Sequence, residues 1–266
     1  MPSIQVVSEQ AYLGGLNPFR ESEDCLTHIA DLRHPASGPG RYFVKHYLED
    51  QVPSKGLVNE VCGYTLAAAV GLPLPDDALI VELPAERIVE MHEAYAGRVG
   101  SGRVLVWATR DTGGEPLPRD PEAAANLLRP WSGLAKLIAF DSWVLIPDRS
   151  PENLARRRNR QLVVIDHGHL AGSVCWDAGL LPVGEERPHP FLSTLWGSRM
   201  PDKINQGIVF AAEAHAECLA RAEPELNRFV EPLLGSAGDR IALLSFLKER
   251  ADSSPDRMKR VLRMLA

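Results

Sequence analysis

The most constraining stretch of this 266-residue chain is PDRSPENLARRRNRQLVVIDHG, residues 147–168. A polar loop holding Asp148 and Asn153 leads into Arg156, Arg157, Arg158 and Arg160, and then into the apolar run Leu162-Val163-Val164-Ile165, which ends on Asp166. A buried-type strand that ends on a carboxylate must give it a partner, because an unpaired buried charge is costly. With the arginines at the tip of a hairpin, the return strand brings Asp166 back beside the loop. Two carboxylates and an amide then converge. Such hard oxygen donors suit a magnesium ion bridging phosphate oxygens, with one carboxylate left to act on an attacking hydroxyl.

The rest of the chain alternates strand-like and helical patterns. Ser3–Val7, Cys25–Leu32, Tyr42–Tyr47 and Ala78–Glu82 read as strands, the third following a turn at Gly38-Pro39-Gly40. A helix is expected after Ser54 as N-cap, with Leu57, Val61, Leu66 and Val70 as its apolar stripe and Gly71, Pro73 and Pro75 ending it. Residues 97–121 form a Gly- and Pro-rich connector around a strand at Val104–Ala108. Beyond it, Asp120-Pro121 opens a helix, and Pro130 interrupts before a second helix at Trp131–Ile146. Gln161–Ile165 is the return strand, and helices from Lys203 onward are broken by turns at Glu223-Pro224 and Gly235–Gly238. This is an α+β pattern of two lobes, residues 1–110 rich in strands and 111–266 mainly helical, with a cleft between them.

Charge and cysteine usage exclude several functions. With 29 basic and 35 acidic side chains the net charge is −6, which argues against direct DNA binding, since that runs on a basic field. The deficit lies in residues 1–100, with 7 basic and 14 acidic side chains, whereas the remainder has 22 and 21. Cys25, Cys62, Cys175 and Cys218 lack the paired spacings of a zinc or dithiol centre, so free, mostly buried thiols in a reducing cytoplasm are expected. The N-terminus, MPSIQVVSEQ, lacks the pattern of a signal peptide, and no apolar run reaches the ~18 residues of a membrane span.

The segment Asp148-Arg149-Ser150-Pro151-Glu152-Asn153, the apolar strand and Asp166-His167-Gly168 together resemble the catalytic and metal-binding loops of the protein-kinase-like fold. IPDRSPENL followed by VVIDHGH is similar to the HipA-like kinases, a bacterial branch of that fold. The resemblance implies Asp148 as catalytic aspartate, with Asn153 and Asp166 holding Mg²⁺. It also implies a lysine on a first-lobe strand to grip the α- and β-phosphates of ATP, and a helix glutamate to hold that lysine. Lys45 in Tyr42–Tyr47 and Glu60, fifteen residues later, have the right order and element types. Pro147 stands where eukaryotic protein kinases have histidine, and His167 where they have phenylalanine. Gly14 and Gly15, in Tyr12–Asn17, precede the lysine strand where a glycine-containing loop can approach phosphates, and the adenine is expected against Val106, Trp107 and Ala108. The implied reaction is transfer of the γ-phosphate of ATP to a hydroxyl, Ser or Thr of a protein, with Asp148, Asn153 and Lys45 as the catalytic set.

Two alternatives stand beside it. One is a nucleotide-binding interaction module without turnover. The other is a metal-dependent phosphoesterase built on Asp148, Asp166, His167 and His169. The arginine-rich tip either attracts an acidic partner or is an ordinary solvated hairpin end.

Overall fold

The computed structural model describes residues 4–48, 54–197 and 200–263. The amino-terminal half builds one twisted sheet from β1 (Ile4–Ser8), β2 (Tyr12–Glu21), β3 (Cys25–His34), β4 (Gly38–Tyr47), β5 (Ala78–Pro84) and β6 (Arg103–Arg110), in the order β1-β5-β6-β4-β3-β2. Only the β1–β5 pair is parallel. Helix α1 (Gly56–Ala69) crosses from β4 to β5, and the short α2 (Ala85–Val89) follows β5. Alternate residues of a strand point to opposite faces. Ile4, Ala78, Ile80 and Trp107 accordingly pack toward α1, whereas Leu79, Val81, Val104, Val106 and Ala108 join Leu26, Ala30, Tyr42 and Val44 on the other side, beneath Ala85 and Ile88.

The second half is helical apart from a three-stranded sheet of β7 (Glu115–Pro116), β8 (Leu154–Arg156) and β9 (Leu162–Val164). Its helices are α3 (Pro121–Leu128), α4 (Leu134–Val144), α5 (Pro190–Trp196), α6 (Asp202–Glu213), α7 (His215–Leu234), α8 (Ala237–Asp252) and α9 (Ser254–Arg263). Asp120 caps α3 by accepting from the Ala123 N–H at 2.8 Å, with Pro121 in the first turn, as the sequence indicates.

Several elements depart from the sequence reading. Ser3 lies outside the described residues. Gly38-Pro39-Gly40 belongs to β4, and the hairpin turn sits just before it, where the His34 imidazole accepts from the N–H groups of Ala36 and Ser37 and Gly38 takes φ +76°. Helix α4 is shorter than Trp131–Ile146, because Leu145 closes it in the left-handed region at φ 54°. Pro224 does not end α7, which runs through it. Cys218, Ala222, Leu226, Phe229 and Val230 form a buried stripe there, so packing outweighs one lost backbone bond.

Helix α1 is not amphipathic. Val58, Asn59, Glu60, Val61, Cys62, Gly63, Tyr64 and Leu66 are all buried, as a helix enclosed on every side requires. It is wedged between β6, α7 and the turn at 170–172, and it meets the segment after β9 at Gly63, where an added Cβ would lie 2.2 Å from the His167 Cβ. Deep in the helical half, the buried Arg250 guanidinium substitutes for missing backbone pairing. It donates to the carbonyls of Ser142, Trp143, Pro182, Val183 and Glu185 at 2.5–3.3 Å, and burial pulls its pKa down to about 9. Of the four thiols, Cys62 and Cys218 are buried, Cys25 is half-buried and Cys175 is exposed, and none is in a disulfide.

Gly63→Ala is expected to overpack the contact with His167 and destabilise the fold by about 1–3 kcal/mol; an unfolding midpoint equal to the parent's in urea titration contradicts the close approach. Four buried histidines make a second expectation. Burial lowers His28 and His46 to about 4 and His167 and His215 to about 3. Because these lie below the unfolded value near 6.5, the unfolded chain binds the extra protons, and stability is lost as pH falls from about 6.5 toward 4. Calorimetric midpoints should drop from pH 7 to pH 5, and a flat profile would contradict neutral burial.

Candidate active site

Strand β4 lies between β3 and β6, which places Lys45 opposite Thr27 and Trp107 on the face that looks toward α1. Its Nζ is 2.6 Å from Glu60 Oε1 and 2.7 Å from Asp166 Oδ1. Glu60, 1% exposed, is saturated: the Tyr47 hydroxyl donates to Oε1 at 2.9 Å, and the His167 backbone N–H donates to Oε2 at 2.9 Å. Burial alone would discharge Lys45, but the Asp166 and Glu60 carboxylates outweigh it and hold its pKa above the usual lysine range. Asp166 is the mirror case. Burial raises its pKa, while the Lys45 charge and hydrogen bond, then Arg149, carry it well below the ordinary carboxylate value. Its backbone sits at φ 66°, a left-handed conformation that aspartate tolerates better than most residues.

The loop of residues 148–153 meets Asp166 from the other side. Asn153 Oδ1 accepts from the Ser150 N–H at 2.8 Å and the Ser150 hydroxyl at 3.0 Å, so its amide is oriented, and Nδ2 donates to Asp166 Oδ2 at 3.1 Å. Asp148 stands nearer solvent, its Oδ2 2.8 Å from His169 Nδ1. A magnesium ion takes hard oxygen donors; the Asp166 carboxylate is one, and Asn153, which here turns Nδ2 toward Asp166 and Oδ1 toward Ser150, would supply its amide oxygen beside it, so the two residues fit that ion. His167 does not join them. It is buried with Nδ1 3.4 Å from an Arg149 nitrogen, and no three His, Cys, Asp or Glu side chains gather as a metal site among the described residues.

A buried charge cluster that the sequence reading did not assign holds this loop in place. Arg149, with no side-chain exposure, makes a two-pronged pair with Asp141 of α4, Nε to Oδ2 and Nη2 to Oδ1, both at 2.9 Å. Its Nη1 donates to the carbonyls of Ile165 at 2.6 Å and Asp166 at 3.0 Å. His189 Nε2 lies 2.9 Å from Asp141 Oδ2. Arg149 therefore fastens the loop that bears Asp148 to the strand end that bears Asp166. The available signal was Asp141 itself, an acid inside the apolar helix LAKLIAFDSWV.

Other sequence candidates lie elsewhere. Gly14 and Gly15 are within β2, opposite Asp31 and Ala30 and flanked by register shifts, and a Cβ on Gly15 would meet Met91 and Tyr12. The part of the β2–β3 hairpin that reaches the site is its turn at 22–24. The Asp24 carbonyl accepts from the Leu48 N–H at 3.0 Å, and its carboxylate lies 3.6 Å from His169 Nε2. Trp107 packs edge-on against Tyr64 at 5.6 Å, on the α1 side, whereas Val106 and Ala108 belong to the opposite core. The three do not form one wall. At the β8–β9 tip Arg157 pairs with Asp76 at 2.9 Å, while Arg156, Arg158 and Arg160 are exposed.

The chain was compared with known proteins. A family model for HipA-like kinases matches residues 36–171, an interval that contains Lys45, Glu60, Asp148, Asn153 and Asp166. A search of curated proteins finds no match. Among solved structures, the chain aligns with a pseudokinase, drought responsive inactive kinase 1, at 14% identity and a TM-score of 0.36, over 94% of this chain and 89% of that one. The family match spans just over half of the 266 residues, and its fold is the two-lobed arrangement of sheet and helices described above. The chain belongs to the HipA-like kinase family.

Proposed function

We propose that this protein is an ATP-dependent kinase that transfers the γ-phosphate to the hydroxyl of a protein serine or threonine. The observation that carries the reading is Lys45 held between Glu60 and Asp166 at 2.6 and 2.7 Å, with Asn153 on the second oxygen of Asp166. Such an arrangement costs burial of three charges, and a phosphate-gripping role explains it better than stability does. Residues 1–110 and 111–266 act as the two lobes.

Each residue has a distinct task. Lys45 stays protonated at every physiological pH and presents a fixed cation to the α- and β-phosphates. Glu60 keeps it from swinging toward solvent. Asp166 and Asn153 would hold Mg²⁺, which when bound neutralises phosphate charge. Asp148 accepts the hydrogen bond of the acceptor hydroxyl and orients it for in-line attack. Little covalent chemistry is asked of the protein, since positioning and charge neutralisation supply most of the rate in phosphoryl transfer. The purine is placed at the end of β6, where the backbone turns from Arg110 into 111–114, because the side chains of Val106 and Ala108 are committed to the far core. Four cysteines outside any disulfide support a reducing, cytoplasmic setting.

Thermal shift and labelled-phosphate transfer with ATP and Mg²⁺ test the reading. The parent should be stabilised and should transfer label to itself or to a lysate protein, and Asp166→Ala should lose transfer. Stabilisation without transfer in the parent identifies a nucleotide-binding module instead. Asp148→Ala should keep the nucleotide-dependent shift and lose about 10²–10⁴-fold in rate; full transfer by that variant removes Asp148 from its assigned role.

A further inference from the structure

His169 is not needed by the reading above, yet it occupies a defined place in the cleft. Its backbone is pinned on both sides: Asn59 Nδ2 donates to the Gly168 carbonyl at 2.6 Å, and the Gly172 N–H donates to the His169 carbonyl at 3.0 Å. The ring is thereby aimed between two carboxylates, with Nδ1 2.8 Å from Asp148 Oδ2 and Nε2 3.6 Å from Asp24 Oδ2. Asp148 is on the loop after α4, and Asp24 is on the β2–β3 hairpin turn that overhangs it. We infer that His169 is a positioning residue that latches the hairpin turn to the proposed catalytic aspartate, and that it does so only as the imidazolium. The inference rests on the kinase reading of Asp148.

The proton count supplies the reason. A neutral imidazole carries one N–H. With that proton on Nδ1 toward Asp148, the Nε2 lone pair faces the Asp24 carboxylate, and the two repel. The cation has a donor at each end and satisfies both acids. The charged groups that act most on the ring are Asp148 from the loop, Asp24 from the turn and Asp166 from the strand end, the last already paired with Lys45. The hydrogen bond to Asp148 accordingly raises the His169 pKa above the ordinary imidazole value, against the opposing effect of burial. As pH rises through that pKa the Asp24 contact is lost first, because it depends on the second proton. The neutral ring still donates to Asp148 and keeps it oriented while leaving it a stronger acceptor for a substrate hydroxyl. The cleft thus trades a held hairpin turn at low pH for a more basic Asp148 at high pH.

Two measurements on the full chain decide the matter. Imidazole titration by NMR, with the His169 signal assigned by its loss in His169→Gln, needs no catalysis. The titration should move down toward the ordinary value in Asp148→Asn, and by a smaller amount in Asp24→Asn. An unmoved midpoint in Asp148→Asn overturns the latch, whether or not the protein is a kinase. In transfer assays His169→Ala should lower kcat about tenfold, consistent with a misaligned reacting group. His169→Gln, whose amide can still donate to Asp148, should recover most of that loss and flatten the acidic limb of the parent's pH–rate profile. A kcat for His169→Ala within about twofold of the parent, with the same pH profile, also overturns it. Failure of the parent to transfer phosphate under any condition removes the kinase reading alone, because the titration still reports on the latch.

Discussion

A lysine that is drawn into a protein interior must either lose its proton or bring its counter-ions with it. Lys45 does the second, and most of the architecture around the cleft follows from that requirement. One counter-ion comes from a helix and one from a strand end, so β4, α1 and the segment after β9 must meet at one point. Glu60 in turn needs partners for its remaining lone pairs, which Tyr47 and the His167 N–H supply. The close approach that permits this is sterically demanding: Gly56 and Gly168 both lie where a Cβ would run into the Tyr47 ring, and Gly63 is fitted against His167. The packing around the ion cluster therefore sets these three glycine positions.

A second buried cluster repeats the scheme with an arginine. The rigid fork of Arg149 takes both oxygens of Asp141 and still reaches two carbonyls, a geometry that lysine cannot reproduce. The two clusters share the peptide segment 165–167, one gripping its carbonyls and the other its side chain and an N–H. Asp166 is thus located by backbone and side chain together, which accounts for its hold on a left-handed conformation.

What could be read from the sequence was placement tied to local pattern. Lys45, Glu60, Asp148, Asn153 and Asp166 stood on recognisable strands, a helix and a loop, and the hairpin between Asn153 and Asp166 required only a run of apolar residues and a polar tip. What could not be read depended on distant contacts. Nothing near Gly14 and Gly15 indicates that they pair with Asp31 and Ala30, several residues along the sheet from Thr27, which faces Lys45. The alternation in Val106-Trp107-Ala108 does say that the three face two ways, but which way depends on the sheet's partners. Pro224 inside α7 and the all-round burial of α1 are likewise settled by packing across the chain. His189 is 48 residues from its acid, beyond the reach of any local motif.

Arg250 bears on a different matter, the extent of chain that behaves as one object. The family match ends at residue 171, and all five proposed site residues lie before that point. Yet the carbonyls of Ser142 and Trp143, at the end of the helix that carries Asp141, are held by a guanidinium more than a hundred residues downstream. The same group gathers the irregular backbone at 182–185. A fragment cut to the matched interval would retain every side chain assigned to chemistry and leave the end of their supporting helix unbound. Heredity of the motif and mechanical integrity of the site thus have different boundaries in this chain, and the second extends at least to α8.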